Sequence, residues 1–445
     1  MNWPAYPQYK DSGLAHLGPV PSDWSVERMS WLFGEISSGT TPDSKYGEFY
    51  GGHINWVTTS ELRERAIAET TQQLTPSALA SYSALKVYAP GTLLIAMYGA
   101  TIGRLGWLER PACTNQACCA FANPIRVETR FAYYSLSAAH DHLVFLASGG
   151  GQPNINQDKL RSLRIAVPSR DEQATIVEFL DRETTKIDEV ISKQEQLVAT
   201  LREDRTATIT HAVTKGVDSD VEMQESGGGW LGDVPRGWVA SRLKNVIQST
   251  ESGTSVNAGD WPAGDGEIGV LKTSCVSAGW FNPTANKTVV DQIEIDRVTC
   301  PVRAGSLIVN RANTPLLVGS AGYAAHSHDN LFLSDKLWQV QFDGALAQFI
   351  YYWTQTEIYR SQIAALCVGA SSSMQNLAMA DFRNIALALP PVEEQVTIVR
   401  LLLDRTAKID NLINKSMDVI GVLREYRSAM ITDAVTGKID VRGAA

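Results

Sequence analysis

At 445 residues the chain exceeds what one ordinary core organises, and its length predicts two to three compact units. Hydrophobic residues make up 44% and charged residues 20%, with no apolar run approaching the roughly 18 residues of a membrane span, so a soluble globular protein is expected. The formal charge is −9, and residues 1–157 carry ten Lys and Arg against twelve Asp and Glu, which excludes the basic excess usual in a protein that grips duplex DNA unaided.

The N-terminus, Met1-Asn2-Trp3-Pro4, lacks the basic start and apolar stretch of a secretory signal, so a cytoplasmic location is the default. Tyr9-Lys10-Asp11-Ser12-Gly13 leads to Leu17-Gly18-Pro19-Val20-Pro21, then Trp24 and Arg28. His53-Ile54-Asn55-Trp56-Val57 reads as an apolar strand and is followed by Thr59-Ser60; Gly91 to Tyr98 reads as another, entering a polar, Gly-rich loop. His140 and His142, like His326 and His328, stand two apart, a spacing that puts two imidazoles on one face of a strand. No Cys accompanies either pair, and a metal site is not expected. Gly149-Gly150-Gly151 reads as a flexible turn.

Pro168 ends this globular stretch, and Asp171-Glu172 place negative charge where a helix N-terminus favours it. Apolar residues then recur at Ile176, Leu180, Ile187, Ile191, Val198 and Leu201, a heptad seam with polar interruptions. A helix of about 40 residues, roughly 60 Å long, is expected.

The chain then repeats itself. Ser226-Gly227 leads to Leu231-Gly232-Asp233-Val234-Pro235, Trp238 and Arg242, at an offset of 214 from the first copy. Glu267 to Leu271 and Gly305 to Arg311 repeat the two strands, and Thr273-Ser274 repeats the Thr-Ser pair at the same offset. Pro390-Pro391 and Glu393-Glu394 begin a second helix with its seam at Ile398, Leu402, Ile409, Ile413, Ile420 and Leu423. From Ile165 through Asp218, 25 of 54 positions are identical at an offset of 222, which chance cannot produce. Two copies suit a pseudo-twofold pair better than a solenoid.

The expected fold is therefore mixed α/β. Globular segments 1–167 and 223–389 alternate with long helices in 168–222 and 390–445, which pair as an antiparallel coiled coil because neither can bury its stripe alone. A spacer with one globular unit at each end suits a target in two separated parts. On periodicity alone, a helical hairpin or a dimerisation coil fits as well. The six cysteines, Cys113, Cys118, Cys119, Cys275, Cys300 and Cys367, form no Cys-x-x-Cys pair and read as small buried thiols.

In this doubled order, nearly the whole chain resembles the specificity subunits of type I restriction-modification systems. The resemblance is carried by the doubled Leu-Gly-x-Val-Pro-x-x-Trp segment, Pro168 through Gln173, Pro390-Pro391-Val392-Glu393-Glu394-Gln395 and the doubled Lys186-Ile187-Asp188 and Lys408-Ile409-Asp410. In the first globular segment, Trp56 to Ser60 (including Thr58), Tyr98 to Arg104, Thr114 to Ala117 and Gln152-Pro153-Asn154 resemble segments of the family's target-recognition domain. In the second they are Val270 to Ser274, Asn310 to Thr314, Val318-Gly319 and Leu333-Ser334-Asp335, with Met374-Gln375-Asn376 standing where Gln152-Pro153-Asn154 does.

The resemblance implies a non-catalytic subunit that reads a bipartite double-stranded DNA site. It implies two modification subunits docked along the helices, methylating adenine with S-adenosylmethionine, and restriction subunits, up to two, that use ATP and Mg to translocate and cut DNA. No cofactor belongs to this chain on that reading, and no membrane is involved. Arg can bond guanine bidentately, Asn and Gln adenine, and Ser or Thr several bases or phosphate. The DNA-contact candidates are thus Thr58, Thr59, Ser60, Tyr98, Thr101, Arg104, Asn115, Gln116, Gln152 and Asn154 in the first domain. In the second they are Lys272, Thr273, Ser274, Arg311, Asn313, Thr314, Ser334, Gln375 and Asn376. A loop Asn or Ser also caps turns, which is the plainer role for any one of them.

A self-contained enzyme and a protein adaptor are the alternatives. A DNA methyltransferase needs an Asn/Asp-Pro-Pro-aromatic loop for a flipped adenine, and Asn123-Pro124-Ile125-Arg126 lacks the second proline and the aromatic. Pro42-Asp43 is followed by no nuclease-like Asp/Glu-x-Lys over about the next 30 residues, no Gly-x-Gly-x-x-Gly loop follows a strand to hold a cofactor, and no phosphate loop or Gly-x-Ser-x-Gly elbow is present. The acidic charge suits the other class, a coiled-coil adaptor with two protein-binding heads.

Overall fold

The structure is a computed structural model that describes residues 3–147, 154–218, 220–367 and 374–443. Gly149-Gly150-Gly151, Gln152 and Pro153 lie outside the described residues. The chain divides into two compact units, residues 1–194 with 418–445, and residues 195–417.

Both units are mixed α/β, as the patterning predicts. The first is built on a five-stranded sheet in the order Phe33–Ser38, Cys118–Pro124, Leu93–Ala96, Leu105–Leu108, Arg65–Ile67, antiparallel except for the last pair. Side chains alternate across it with the strand period of two. Leu93, Ile95 and Phe121 join a core with the helix Thr129–Ala138 and the start of the first long helix. Leu94, Ala96 and Ala120 instead pack against Val57, Leu62 and Leu108. A smaller sheet runs Ala112–Thr114 parallel to Tyr50–Val57, which pairs in turn with Gln73–Leu74.

The second unit repeats the plan. Its main sheet, all antiparallel, is ordered Ile247–Ser252, Leu337–Phe342, Ser306–Asn310, Ala321–Ala324. Leu307 and Val309 face the helical core while Ile308 faces the smaller cluster that holds Leu271, Cys275 and Leu333. The second sheet is ordered Asn286–Thr288, Gly269–Leu271, His328–Phe332, Pro301–Val302.

The doubled opening segment is a doubled structure. In each unit it makes a short hairpin, Tyr9–Asp11 with Pro19–Pro21 and Met223–Glu225 with Asp233–Pro235. The strand after it, Ser25–Arg28 or Val239–Arg242, pairs antiparallel with the strand leading into a long helix, Arg164–Val167 or Ala386–Leu389. Trp24 and Trp238 are buried beneath these junctions.

The long helices, Arg170–Lys215 and Val392–Val435, have 46 and 44 residues, about a turn longer than the spacing suggested. A buried glutamine ties each to its own globular fold. Gln173 Nε2 donates to Pro168 O at 3.0 Å, and its Oε1 accepts from Glu128 N at 2.7 Å. Gln395 repeats this with Pro390 O at 2.9 Å and Leu346 N at 2.8 Å.

Within each unit the helical segments run antiparallel, as expected. In the first, Ile176, Leu180, Ile187 and Ile191 share a core with Ile420, Met430, Ile431 and Ala434, with Leu423 at its margin, and Arg427 Nε lies 2.9 Å from Asp188 Oδ1. In the second, Ile209, Ala212 and Val213 share a core with Ile398, Val399 and Leu402, and Arg205 Nε lies 2.9 Å from Asp410 Oδ1. The two ion pairs are one pair written twice, each residue offset by 222 from its counterpart. Val198 and Ile409 are buried, whereas Leu201 and Ile413 are only partly so. The seam's polar interruptions are accommodated because buried Thr184 and Thr406 return their hydroxyls to Leu180 O and Leu402 O.

His140 and His142 correct one expectation. They lie on the helix His140–Leu146, not on a strand, since that segment buries Leu143 at helical spacing. His142 stacks face to face on His16 at 4.0 Å between ring centroids. Among the described residues no group of His, Cys, Asp and Glu could hold a metal, and no helix is long and apolar enough to cross a membrane.

Candidate nucleic-acid interface

In the first unit, backbone hydrogen bonds assemble four separate loops at the ends of the central strands. Asn115 N donates to Val57 O at 3.0 Å, Met97 N to Ala117 O at 2.8 Å, and Ile155 N to Met97 O at 2.9 Å. Tyr98 forms an antiparallel bridge with Asn154. The candidates Thr58, Thr59, Ser60, Tyr98, Thr101, Arg104, Asn115, Gln116 and Asn154, drawn from four stretches of sequence, therefore lie on one set of adjoining loops. Gln152 lies outside the described residues.

A fifth loop, which sequence reasoning missed, joins them. Gly39 N donates to Thr114 Oγ1 at 3.0 Å, and Thr41 Oγ1 donates to Gln116 Oε1 at 2.6 Å. A Cβ on Gly39 would stand 1.8 Å from Thr114 O, so only glycine allows this approach. The signal was present: Ser38-Gly39-Thr40 recurs as Ser252-Gly253-Thr254, again at an offset of 214.

The local chemistry divides these side chains. Thr58 caps a short 3-10 turn, with Glu61 Oε2 accepting from its backbone N at 2.7 Å, and Ser60 Oγ lies 2.8 Å from Thr58 Oγ1. Thr101 Oγ1 donates to Tyr98 O, and Asn115 Oδ1 accepts from Ala117 N and Cys118 N. These four groups shape the loops. Tyr98, Arg104, Gln116 and Asn154 are exposed, and the Arg104 guanidinium has no partner among the described residues. Arg63, also exposed, reaches this set by donating from Nε to Ser60 O.

The second unit reproduces the skeleton with different side chains. Arg311 N donates to Lys336 O at 3.0 Å and Leu377 N to Arg311 O at 2.8 Å. Ala312 and Asn313 pair with Asn376 and Gln375, where the first unit has the single bridge Tyr98 to Asn154. Both units reverse direction after the central strand through a glycine of positive φ: Gly103 donates to Ala96 O and Gly319 to Asn310 O. Gly253 approaches Leu333 O so closely that a Cβ would stand 1.6 Å away.

The parallel pairing of Gly269 and Val270 with Leu331 and Phe332 ends both strands side by side, at Lys272 and Ser334. Lys272 Nζ lies 2.8 Å from Asp260 Oδ1, with Lys287 Nζ at 3.4 Å, and the Lys272 hydrogen bond, ahead of its charge and that of Lys287, holds the Asp260 carboxyl below its ordinary value. Thr273 O accepts from Ser277 Oγ, Ser334 O from Leu337 N, and Asn313 Oδ1 from Thr314 N, so these three shape turns. Ser274, Thr314 and Asn376 are exposed, Gln375 is half-buried, and Arg311 lies over the Trp338 ring.

The thiols beside these loops point into the core rather than joining the exposed groups. Burial pushes Cys113 up to about 11 and Cys119 and Cys275 up to about 12, so these sulfurs stay neutral. All six cysteines are free, and all but Cys300 are buried.

One loop skeleton built twice on duplicated α/β units, with its exposed side chains changed between copies, defines an internally duplicated protein with two non-equivalent loop clusters. More particularly, the chain belongs to the family of the type I restriction modification DNA specificity domain, which matches residues 21–198 and 235–419. It is 21% identical over 429 residues to the Type I restriction enzyme MjaVIII specificity subunit of Methanocaldococcus jannaschii, covering 95% of this chain and 94% of that one. It is 24% identical over 250 residues to the MjaIX specificity subunit of the same organism, a match that spans 54% of this chain and 55% of that protein. A solved chain described in work on complex assembly and conformational transition of the type I R-M system shares the fold, with a TM-score of 0.69 at 15% identity, covering 94% of this chain and 98% of that chain.

Proposed function

We propose that this chain is a non-catalytic subunit that reads a two-part DNA site, one half-site by each loop cluster, and presents it to partner enzymes docked on the long helices. The observation that carries this reading is the repeated loop skeleton. The backbone hydrogen bonds around its central strand recur, at Met97 and Arg311 and at Gly103 and Gly319, while the exposed groups differ, Tyr98, Arg104 and Gln116 in one copy and Ser274, Thr314 and Lys336 in the other. Groups of this chemistry contact bases and phosphates, and a change of side chain on a constant frame is how two heads read different sequences.

The partners on this reading are two modification subunits that methylate adenine using S-adenosylmethionine, with restriction subunits that use ATP and Mg. The reading places the complex in the cytoplasm. Since the chain carries a formal charge of −9, the partners supply much of the phosphate clamp.

The test is DNA binding by the complex of this chain with its modification subunit, followed by exchange of residues 9–167 for another recognition domain. Sequence-dependent binding that changes in one half-site is expected. Binding that ignores sequence sinks the DNA reading in favour of a protein adaptor, and a change in both half-sites rules out independent readers.

A further inference from the structure

We propose that Arg311 makes the second unit select a guanine in its half-site, a contact for which the first unit has no equivalent. The inference rests on the DNA reading above and names the residue through which one head discriminates.

The two skeletons place Arg311 where the first unit has Met97. Each donates its backbone N to the neighbouring loop, to Lys336 O or Ala117 O, and each carbonyl accepts from the loop that follows, from Leu377 N or Ile155 N. Met97 is 2% exposed and belongs to the apolar core. Arg311 is half-buried, its Nε is sealed from solvent without an acceptor, and its guanidinium has no hydrogen bond or ion pair among the described residues. The preceding position changes in the same direction. Ala96 is replaced by Asn310, which is fully buried, with Oδ1 accepting from Ala312 N at 3.3 Å and Nδ2 left without a partner.

A guanidinium cannot shed its proton, so burying part of it without an acceptor destabilises the free protein. The sealed Nε is out of reach of a ligand, but the two terminal nitrogens, also without a hydrogen bond among the described residues and not sealed, are donors that a bound group can complete. The acceptor that fits is planar and offers two oxygens or nitrogens side by side, as the O6 and N7 edge of guanine does. Phosphate offers two oxygens as well, but the bracing of Arg311 favours the base. Its backbone is bonded on both sides, and its Cζ lies 5.7 Å from the Trp338 ring centroid, which restricts the plane of the fork. Exposed Lys336, on the adjoining loop and with no side-chain partner among the described residues, is the kind of mobile cation that suits phosphate.

The experiment compares Arg311→Met and Arg311→Lys with the parent chain, each in complex with its modification subunit, by binding to a DNA library and by mapping methylated sites. The methionine is the residue the first unit carries at this place, and the lysine keeps the charge without the fork. Both variants are expected to lose discrimination at one guanine of one half-site by roughly 5- to 150-fold, with the other half-site unchanged. Arg311→Met is also expected to melt no lower than the parent, because it removes an unpaired charge. Unchanged discrimination overturns the proposal. So does a uniform loss of affinity with a shallower salt dependence, the sign of a phosphate contact, or a lower melting temperature for Arg311→Met, the sign of a structural role. If the parent complex binds without sequence preference, the DNA reading itself fails.

Discussion

Replacing Gln395 with leucine tests whether the buried glutamine at the foot of each long helix holds helix and globular fold together. Gln395 is 1% exposed. Its amide bridges Pro390 O, a fully buried contact, and Leu346 N, which starts the helix Ala347–Trp353. Leucine fills nearly the same volume but leaves both backbone groups unpaired, at about 1–3 kcal/mol for each one kept from water. Added apolar burial returns part of this, about 1 kcal/mol. A net loss of about 1–5 kcal/mol is expected, which in a unit of about 220 residues lowers the melting temperature by roughly 2–11 °C. Thermal melting reads the total, and hydrogen exchange at the Leu346 amide reads the site. Exposed Gln196→Leu is the control. Unchanged exchange at Leu346, or a melting shift no larger than the control's, would refute the reasoning.

Gly253→Ala places a methyl 1.6 Å from Leu333 O, so the loop carrying Ser252 and Thr254 must move. The second unit is expected to melt lower and, on the proposed DNA reading, selectivity to fall in one half-site; a melting temperature within about 1 °C of the parent counts against the close approach. Gly421→Ala should act oppositely, because nothing lies within 4 Å of a Cβ there and the position is inside the second long helix. A gain of about 0.5–1 kcal/mol in denaturant unfolding is expected, and a loss would show that the helix surface is not open at that point. His142 supplies a pH dependence. Burial, then the charge of stacked His16, holds its pKa below the ordinary imidazole value, so the folded chain binds the proton more weakly than the unfolded one. Its stabilising effect is complete above the unfolded pKa of about 6.5 and declines as pH falls through the depressed folded value. Melting of the first unit between pH 7.5 and 5 should therefore depend less on pH in His142→Phe; an undiminished dependence assigns it to other groups.

Sequence by itself determined the duplication, the two long helices and their apolar seams. These are local or periodic properties: Pro168 and Pro390 stop a strand, Asp171-Glu172 and Glu393-Glu394 suit a helix start, and the spacing from Ile176 to Leu201 selects one helical face. Covering each stripe required that the helices pair, and the ion pairs of Asp188 with Arg427 and Asp410 with Arg205 show that the sense is antiparallel.

The candidate recognition surface depended on long-range geometry. Loops around residues 40, 58, 98, 115 and 154 become neighbours only through the order of the sheets, because strand pairing joins segments that no local pattern connects. Which candidates face outward was likewise settled by competition for hydrogen bonds, since Thr58, Thr101 and Asn115 spend their polar atoms on turns while Arg104 does not. His140 and His142 show the same limit: a two-residue spacing fits a strand, but burial of Leu143 at the next position made the segment a helix. The exchange of Met97 for Arg311 is visible in the sequence as two unrelated letters. The offset of 214 already aligns them, and the matched backbone hydrogen bonds confirm that they occupy one place in the fold; only the structure shows that methionine is sealed in the core there while arginine is left with an unmet donor.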